Sequence, residues 1–592
     1  MSEVFEPVDI HDRDLALGAA GVLATFNRAG VLTAADVHVA TNLGRLGGET
    51  GASVLLAVAL AVRAVRHGSV CLELATVAES LADLDLPWPH PAEWSTAVGR
   101  SPLLTAGVVH WEHGLLHLDR YHEQETQVLA DLQSRQGNVG VLDTDLLEQS
   151  LARVFPDGPS AEQRQACRRA ASQATTVITG GPGTGKTTAV AGLLVALAEQ
   201  AETRGEVMRI ALAAPTGKAA ARLEQSVRDS ATRFSPQDQE RLAGIRAMTL
   251  HRLLRQHPGN STRFRHHRGN RLPHDLVVVD EASMVSLTMM ARVLEAVRPE
   301  ARLVLVGDPD QLSSVDAGAV LTDLVRGYHL RADNPVTALT TTFRYGEEIR
   351  ALAEALRTGD ADAAIAVLGA GHDSVEWVTE TDPAAAIRST VLPHALALRD
   401  AAVAGDVGRA LGVLDRHRLL CAHRDGPYGV RHWNHRVEQW LTAETGDGLY
   451  DSAYLGRPLL VTSNDYVLGV YNGDAGVVVA GPDGPRAAIA TGGAPLDLSP
   501  SRLGQVETMH AMTIHKSQGS QADEVTVLLP DEESRLLTRE LFYTAVTRAK
   551  RKVRVIGPES AVRAAIGRQA QRASGLRARL ADGGNADVTQ EG

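Results

Sequence analysis

The feature that most constrains the fold lies between residues 176 and 199. Thr176-Val177-Ile178-Thr179 reads as a short buried strand, Gly180-Gly181-Pro182-Gly183-Thr184-Gly185-Lys186-Thr187-Thr188 as a turn, and Ala189 to Glu199 as an apolar helix. Glycines at 180, 181, 183 and 185 let the backbone wrap around phosphate oxygens. The free N–H groups and positive dipole end of the new helix face the same anion. In such a cradle Lys186 reaches the β and γ phosphates of ATP, and the Thr187 hydroxyl ligates Mg²⁺. The run from Gly180 to Thr188 is therefore the expected nucleotide contact.

A phosphate cradle of this kind needs a carboxylate on a neighbouring strand. Leu276-Val277-Val278-Val279 is continuously apolar, as in a parallel sheet covered on both faces, and ends in Asp280-Glu281-Ala282-Ser283. Asp280 is placed to hold the metal through water, and Glu281 to take the proton of the attacking water. Two acids at a strand end also occur as a plain helix cap; the cradle upstream favours the catalytic reading. A third strand, Leu303-Val304-Leu305-Val306, delivers Gly307-Asp308-Pro309-Asp310-Gln311, where Gln311 is positioned to bond the γ phosphate. The expected class is α/β.

Lysine usage sharpens this reading. Of 59 basic residues only five are lysine, namely Lys186, Lys218, Lys516, Lys550 and Lys552, and all fall in or beside motif segments. A chain that uses arginine elsewhere has kept a compact ammonium where phosphates call for a point charge. The length of 592 residues exceeds a single core, so three or four domains are expected. An acidic N-terminal stretch without a basic n-region, and a longest nearby apolar run (Val54 to Val62) too short for a bilayer, argue for a soluble cytoplasmic protein without membrane contact. Cys71, Cys167 and Cys421 are far apart and read as buried thiols rather than as a disulfide or metal framework. The formal charge of −12 excludes nothing, because nucleic-acid affinity depends on local basic surface.

Taken in order, these motifs resemble the superfamily 1 helicases, and within them the RecD family, the alpha subunits of RecBCD-type exodeoxyribonuclease V. The resemblance runs through Ala214 to Ala220 (APTGKAA), Thr249 to Leu254 (TLHRLL), Asp280 to Ser283, Thr342 to Tyr345 (TFRY), Met512 to Gly519 (MTIHKSQG) and Tyr543 to Lys550 (YTAVTRAK). It implies two RecA-like P-loop motor domains that close on ATP. It makes Arg344 and Arg548 arginine fingers from the second domain, and Gln163 the reader of the adenine edge. A finger that acts only on closure ties hydrolysis to domain movement. The resemblance also puts strand contacts at Pro215, Thr216, Lys218, Thr249 and His251 on the first domain and at Thr513, His515 and Lys516 on the second. Such residues suit sequence-tolerant backbone gripping. Travel is implied to run 5′ to 3′, with DNA ends as substrate and RecB-like and RecC-like subunits as partners in a heterotrimer.

The resemblance divides the chain into a helical N-terminal partner-docking domain (1–115), a linker helix region (116–150), a first motor domain (151–342) and a second (343–592). A small inserted SH3-like β-barrel is expected at about 450–505, from the β runs 458–462, 466–468 and 476–479 with turn signals between them. Tyr466 and Tyr471 there are expected to pack locally. The basic segment Arg263 to Arg271 reads as a short hairpin within 258–274, either solvated or lying near the strand junction. An Arg/Ala helix over roughly 560–580 precedes a polar tail expected to be mobile from about 582. Phe343 stands where relatives tend to have tyrosine, which removes a hydroxyl beside the finger. Without a long N-terminal extension or a nuclease carboxylate cluster, the sequence favours a helicase subunit. The alternatives are a stand-alone superfamily 1 helicase on DNA or RNA, and a structural subunit with a vestigial ATP site.

Overall fold

The computed structural model describes the chain apart from residues 1–4, 6–8, 10, 82–83, 138–139, 157–159, 258–262, 330, 332, 343–345, 381, 450–451, 466, 492, 571 and 583–592. Arg344, the flanking Phe343 and Tyr345, Tyr466 and the tail beyond 582 thus lie outside the described residues. None of the described helices is long and apolar enough to cross a membrane.

The N-terminal domain forms around helix Ala52–Arg66, whose run Leu56 to Ala61 is buried, as an apolar-all-round helix requires. Phe26, Trp94 and Leu103 close over it, and Trp94 Nε1 donates to Ser53 O at 2.7 Å. The expected helical domain also carries a three-stranded antiparallel sheet, in the order β1-β3-β2, from β1 (Cys71–Glu73), β2 (Val109–Glu112) and β3 (Leu115–Leu118). Helix Asp119–Ser134 leads to the motor, anchored by Arg135. That guanidinium is 2% exposed and donates to Thr175 Oγ1 at 3.0 Å and to the carbonyls of Ala174, Arg298 and Ala301. Burial lowers its pKa to about 10.

The first lobe is a six-stranded parallel sheet: β4 (Thr175–Gly180), β5 (Ile210–Ala214), β6 (Ala247–Thr249), β7 (Leu276–Val279), β8 (Arg302–Gly307) and β9 (Val336–Leu339). Their order is β6-β5-β7-β8-β4-β9. Cores on the two faces bury alternate residues of the same strands, Val277 and Val279 on one and Leu276 and Val278 on the other, hence the continuous apolar runs. The expected boundary at 151 cuts through helix Thr144–Val154. Its Leu147, Leu151 and Val154 sit in the first-lobe core, so this helix belongs to the motor.

The second lobe is a five-stranded parallel sheet in the order β10-β19-β18-β11-β17, built from β10 (Val375–Val378), β11 (His417–Cys421), β17 (Ala511–Thr513), β18 (Ala522–Leu528) and β19 (Ala549–Ile556). Between β11 and β17 the chain makes an antiparallel sheet of β12 (Pro458–Val461), β13 (Ala475–Gly481), β14 (Gly484–Ile489), β15 (Leu496–Leu498) and β16 (Val506–Thr508), in the order β15-β14-β13-β12-β16. The β run expected at 466–468 is not a strand at Val467 and Leu468. Their N–H groups both donate to Asp465 Oδ1 at 3.0 Å, so an aspartate turn has taken backbone donors that a strand would need.

The single helix expected over 560–580 is two, Glu559–Gly567 and Leu576–Asp582. The stretch between them straps back onto the first lobe and N-terminal domain, where its backbone bonds are made. Val70 N donates to Ala573 O, and Ser574 Oγ and Gly575 N donate to Glu125 Oε1. Leu576 and Leu580 are buried against helix Val320–Tyr328, and a Cβ on Gly327 would come within 2.8 Å of Leu580 Cβ. Leu580→Ala is expected to cost about 2–5 kcal/mol of stability, seen as a lower urea midpoint for the transition that unfolds the first lobe.

Candidate active site and strand-binding face

The C-terminal ends of β4, β8 and β7 point the same way, and this is the edge at which open parallel sheets take ligands. Register pairs Thr179 with Gly307 and Val279 with Leu305, so the glycine-rich turn, Asp308 and the Asp280-Glu281 pair open onto one cleft. A cavity of about 650 Å³ there is lined by Gln163, Lys186, Thr187, Asp280, Gln311 and Arg548, with Pro182, Gly183, Gly185, Thr188, Glu281 and Arg222 also on its wall. All of the expected catalytic residues that are described therefore share one cavity.

Gly183 and Gly185 have φ of +83°, so conformation demands glycine at both, and a Cβ on Gly185 would also meet Gln163 Nε2 at 2.8 Å. Lys186 Nζ donates to Gly180 O at 2.6 Å and Gly181 O at 2.9 Å. Burial lowers its pKa while Asp308, Glu281 and Asp280 hold it up. Thr184 is structural, its hydroxyl donating to Gly181 O at 2.8 Å. Gln163 is 2% exposed and donates to Thr184 O at 2.8 Å, with no partner for its Oε1 among the described residues.

Burial and the neighbouring Glu281 charge raise Asp280 to about 6; the Glu281 N–H at 2.9 Å, Lys186 and Arg222 work against them. Glu281 has φ +50°, uncommon for a residue with a side chain and of the kind that collects at functional sites. Asp308, 2% exposed, is raised by burial and accepts from Gln311 Nε2 at 2.9 Å and Tyr543 Oη at 3.1 Å.

The second lobe enters through helix Arg539–Val546 and the turn after it. Arg548, 3% exposed, donates from Nη2 to Gln311 Oε1 at 2.6 Å and from Nη1 to Ser520 O at 3.3 Å. Leu312 N donates to Thr544 Oγ1 at 3.0 Å, and Gln518 Nε2 to Leu312 O at 2.8 Å. The Gln311 loop is thus bonded to the other lobe on both sides. Sequence reasoning passed over Tyr543, whose hydroxyl lies 3.1 Å from a Cβ built on Gly181, and Asp308 and Arg222. Asp308 was marked by its place at a strand end; Arg222 carried no local signal.

None of the residues expected to grip a strand lines the cavity, although Ala219, within the first of their motifs, does. Pro215 and Thr216 open helix Gly217–Ala231, with Thr216 Oγ1 capping Ala219 N at 3.2 Å. Gly519 of the second lobe lies 3.6 Å from Ala219 Cβ, measured from a built Cβ, so the two motif sets adjoin across the lobe boundary. Lys218 is lowered to about 8 by burial and then Arg418. The inserted sheet leans on this point: a Cβ on Gly217 would sit 2.5 Å from Tyr471 Cβ. The packing expected of Tyr471 is not local, because it reaches across to the first lobe. Thr249 caps helix Leu250–Leu254 through Arg252 N, and His251 lies 5.9 Å from the Phe264 ring. Thr513 Oγ1 accepts from Lys516 N at 3.3 Å, Lys516 Nζ pairs with Glu507 at 2.7 Å, and burial lowers His515 to about 4.

The basic segment is partly tied down. Phe264 bridges Gln256, His267 bridges Asn270, Arg268 pairs with Asp131 at 2.7 Å, and Arg271 donates to Val297 O at 2.6 Å. The residues 258–262 of the expected hairpin lie outside those described. All three cysteines are buried and unpaired by disulfides.

Comparison with known proteins matches models to both lobes, the first match running on into β10 of the second. Residues 158–380 match the model of an AAA domain, and residues 508–556 that of a UvrD-like helicase C-terminal domain. A phosphate cradle on one lobe, met by a buried arginine from the other, defines a two-lobed, nucleotide-driven motor of the helicase class. Residues 28–127 match the model of the RecBCD enzyme subunit RecD, N-terminal domain. RecBCD enzyme subunit RecD of Mycobacterium tuberculosis is 58% identical over 575 residues, covering 96% of this chain and 98% of that one. That of Mycolicibacterium smegmatis is 60% identical over 561 residues, covering 94% and 99%. The chain belongs to the RecD family. The ATP-dependent RecD2 DNA helicase of Deinococcus radiodurans is 32% identical over 70% of this chain and 51% of its own length. A crystal structure of Bacteroides Pif1 bound to ssDNA matches 67% of this chain and 92% of that one at 16% identity, with a TM-score of 0.38, and adds nothing to the assignment.

Because the folded state raises Asp280, it binds that proton more tightly than the unfolded chain does. Stability from this group is therefore full at low pH and falls as pH climbs from about 4 through about 6. Asp280→Asn is expected to raise the melting temperature without nucleotide or divalent cation at pH 8 and to leave it nearly unchanged at pH 4; thermal melts at the two pH values check this.

Proposed function

We propose that this chain is the ATP-driven 5′ to 3′ strand motor of a three-subunit, RecBCD-type helicase-nuclease that processes double-strand DNA ends for recombinational repair in the cytoplasm. As a member of the RecD family it is an ATP-dependent DNA helicase and a subunit of such an enzyme. The observation that carries the reading is the hydrogen bond from Arg548 to Gln311 inside the cavity that also holds Lys186 and Asp280. Two lobes that share one nucleotide site convert the state of that site into their separation.

In this reading Lys186 and the N–H groups of the turn bind the β and γ phosphates, and Gln163 meets the base. A water oxygen attacks the γ phosphorus while its bond to the β–γ bridging oxygen breaks. ADP leaves with the electron pair, and Glu281 takes the water's proton. Arg548 neutralises charge on the transferred group, with Arg344 the second finger. The donor set suits Mg²⁺. Among the described residues no cluster of three or more His, Cys, Asp or Glu side chains could hold a metal, and Asp280 with Thr187 offers the one or two protein oxygens that this ion takes beside water and phosphate. Once bound, the ion neutralises charge on the β and γ oxygens.

The strand lies across Pro215, Thr216, Lys218, Thr249 and His251, then Thr513, His515 and Lys516. The adjoining of Gly519 and Ala219 supports one continuous track. The inserted antiparallel sheet is a small SH3-like barrel flanking that track, supported by its five short strands and Tyr471 against Gly217. The N-terminal domain docks on RecB-like and RecC-like partners.

Lys186→Gln is expected to remove ATP turnover with single-stranded DNA by at least about 10²-fold while co-purification with two partner chains persists; retained hydrolysis refutes the site. Arg548→Ala is expected to lose roughly 10³-fold in kcat with a much smaller change in KM for ATP, measured by steady-state phosphate release.

A further inference from the structure

Helix Gly217–Ala231 connects the two working faces of the motor. Its capped N-terminus carries Thr216 and Lys218 at the proposed strand track, and a stripe farther along it lines the nucleotide cavity: Arg222, Ser226, Asp229 and Ser230. The spacing of four, three and one keeps these residues on one side of the helix. Arg222 stands one turn beyond Lys218, so the strand grip and the cavity wall are joined by a single rigid turn.

Three further observations single out Arg222. First, three arginines line the cavity, Arg222, Arg233 and Arg548, and among the described residues neither Arg222 nor Arg233 has an ion pair within 4 Å, but of these two it is Arg222 that also reaches the second lobe. Its one hydrogen bond runs from Nη1 to Gly519 O at 3.4 Å, a long contact that spans the lobe boundary. Second, it is half-buried on the cavity wall with Lys186, Asp280 and Glu281, and its charge acts on both Lys186 and Asp280. A guanidinium beside two carboxylates that nonetheless makes no pair with either is available to an anion arriving between them. Third, the Gly519-Ser520 turn that it reaches is the one held by Arg548 Nη1, so the two guanidinium groups clasp one segment of the second lobe from opposite lobes.

We propose that Arg222 is a further catalytic residue, a first-lobe guanidinium that contacts the phosphates of bound ATP and is set on them when a strand engages Thr216 and Lys218 at the start of its helix. This rests on the ATP-driven motor reading above. A planar fork with five donors binds phosphate oxygens bidentately while keeping a donor for the Gly519 carbonyl. The long existing bond costs little to re-aim. Strand contact at one end of the helix thereby becomes phosphate contact at the other, which is one physical basis for hydrolysis that depends on the track.

The full-length chain, with its partner subunits, tests this through Arg222→Ala and Arg222→Lys. The alanine variant is expected to lower kcat with single-stranded oligonucleotide by roughly 10²-fold, to change KM for ATP far less, and to bring the ratio of strand-bound to strand-free kcat down towards one. The lysine variant, which keeps the charge without the fork, is expected to recover part of the loss. ADP with aluminium fluoride and Mg²⁺, a mimic of the transferred phosphoryl group, is expected to bind the alanine variant at least about tenfold more weakly, with ADP alone little altered. A role confined to holding Gly519 would weaken both ligands alike and overturns the proposal. So does a kcat within twofold of the unaltered protein, and a reduced kcat with the strand-dependence ratio unchanged removes the helix from the coupling. If the alanine variant melts early, Arg222→Gln carries the same comparisons. Loss of activity in Lys186→Gln with full activity in Arg222→Ala would sink this inference alone, whereas an active Lys186→Gln would sink the parent reading.

Discussion

The buried hydrogen bond between Gln311 and Arg548 is the contact on which the rest of the architecture turns. A guanidinium only 3% exposed is expensive to desolvate, and well-made hydrogen bonds offset that cost. Gln311, Ser520 and Thr544 supply them, one from the first lobe and two from the second. Gln311 is itself held by Asp308, which Tyr543 of the second lobe also reaches. Any change in charge at the cradle is therefore felt at the lobe boundary through a chain of short polar contacts.

Around that joint the chain places elements that hold the lobes in register without fusing their sheets. The strap from Arg568 to Asp582 leaves the second lobe and packs its last helix on the first, while Arg572 donates to Asp316 O at 3.2 Å, just past the Gln311 loop. Elsewhere on the lobe boundary, Tyr471 of the inserted sheet rests on Gly217, and Gly519 rests on Ala219 at the cavity wall.

Legibility from sequence varied with how local the physics was. The cradle, the Asp280-Glu281 pair and the strands delivering them were readable because each is a strand, turn and helix in contiguous order, and the glycine positions demand φ values that the structure has. The second-lobe residues were readable only through resemblance, since nothing near Arg548 in sequence says that it reaches Gln311 across 237 positions. The broken C-terminal helix was misread because its Arg/Ala composition favours helix everywhere, whereas tertiary bonds to Ser69 and Glu125 favour extension at 573–575. The run at 466–468 failed for the opposite reason: Asp465 captured the N–H groups of Val467 and Leu468 locally.

What the sequence determined by itself is therefore the make-up of each half-site: a glycine-rich turn with its lysine, a pair of carboxylates at a strand end, and hydroxyl and lysine motifs on two separate stretches. What tertiary structure alone decided is their union. It sets Arg548 into a cavity built mostly by the other lobe, brings Tyr543 to Asp308, runs one helix from Thr216 to Arg222 between two faces, and bonds Gly575 to Glu125 across 450 positions of chain. The physical reason is that hydrogen-bond satisfaction for a buried charge is a property of the whole assembly of surrounding groups, and those groups are neighbours only after the chain has folded.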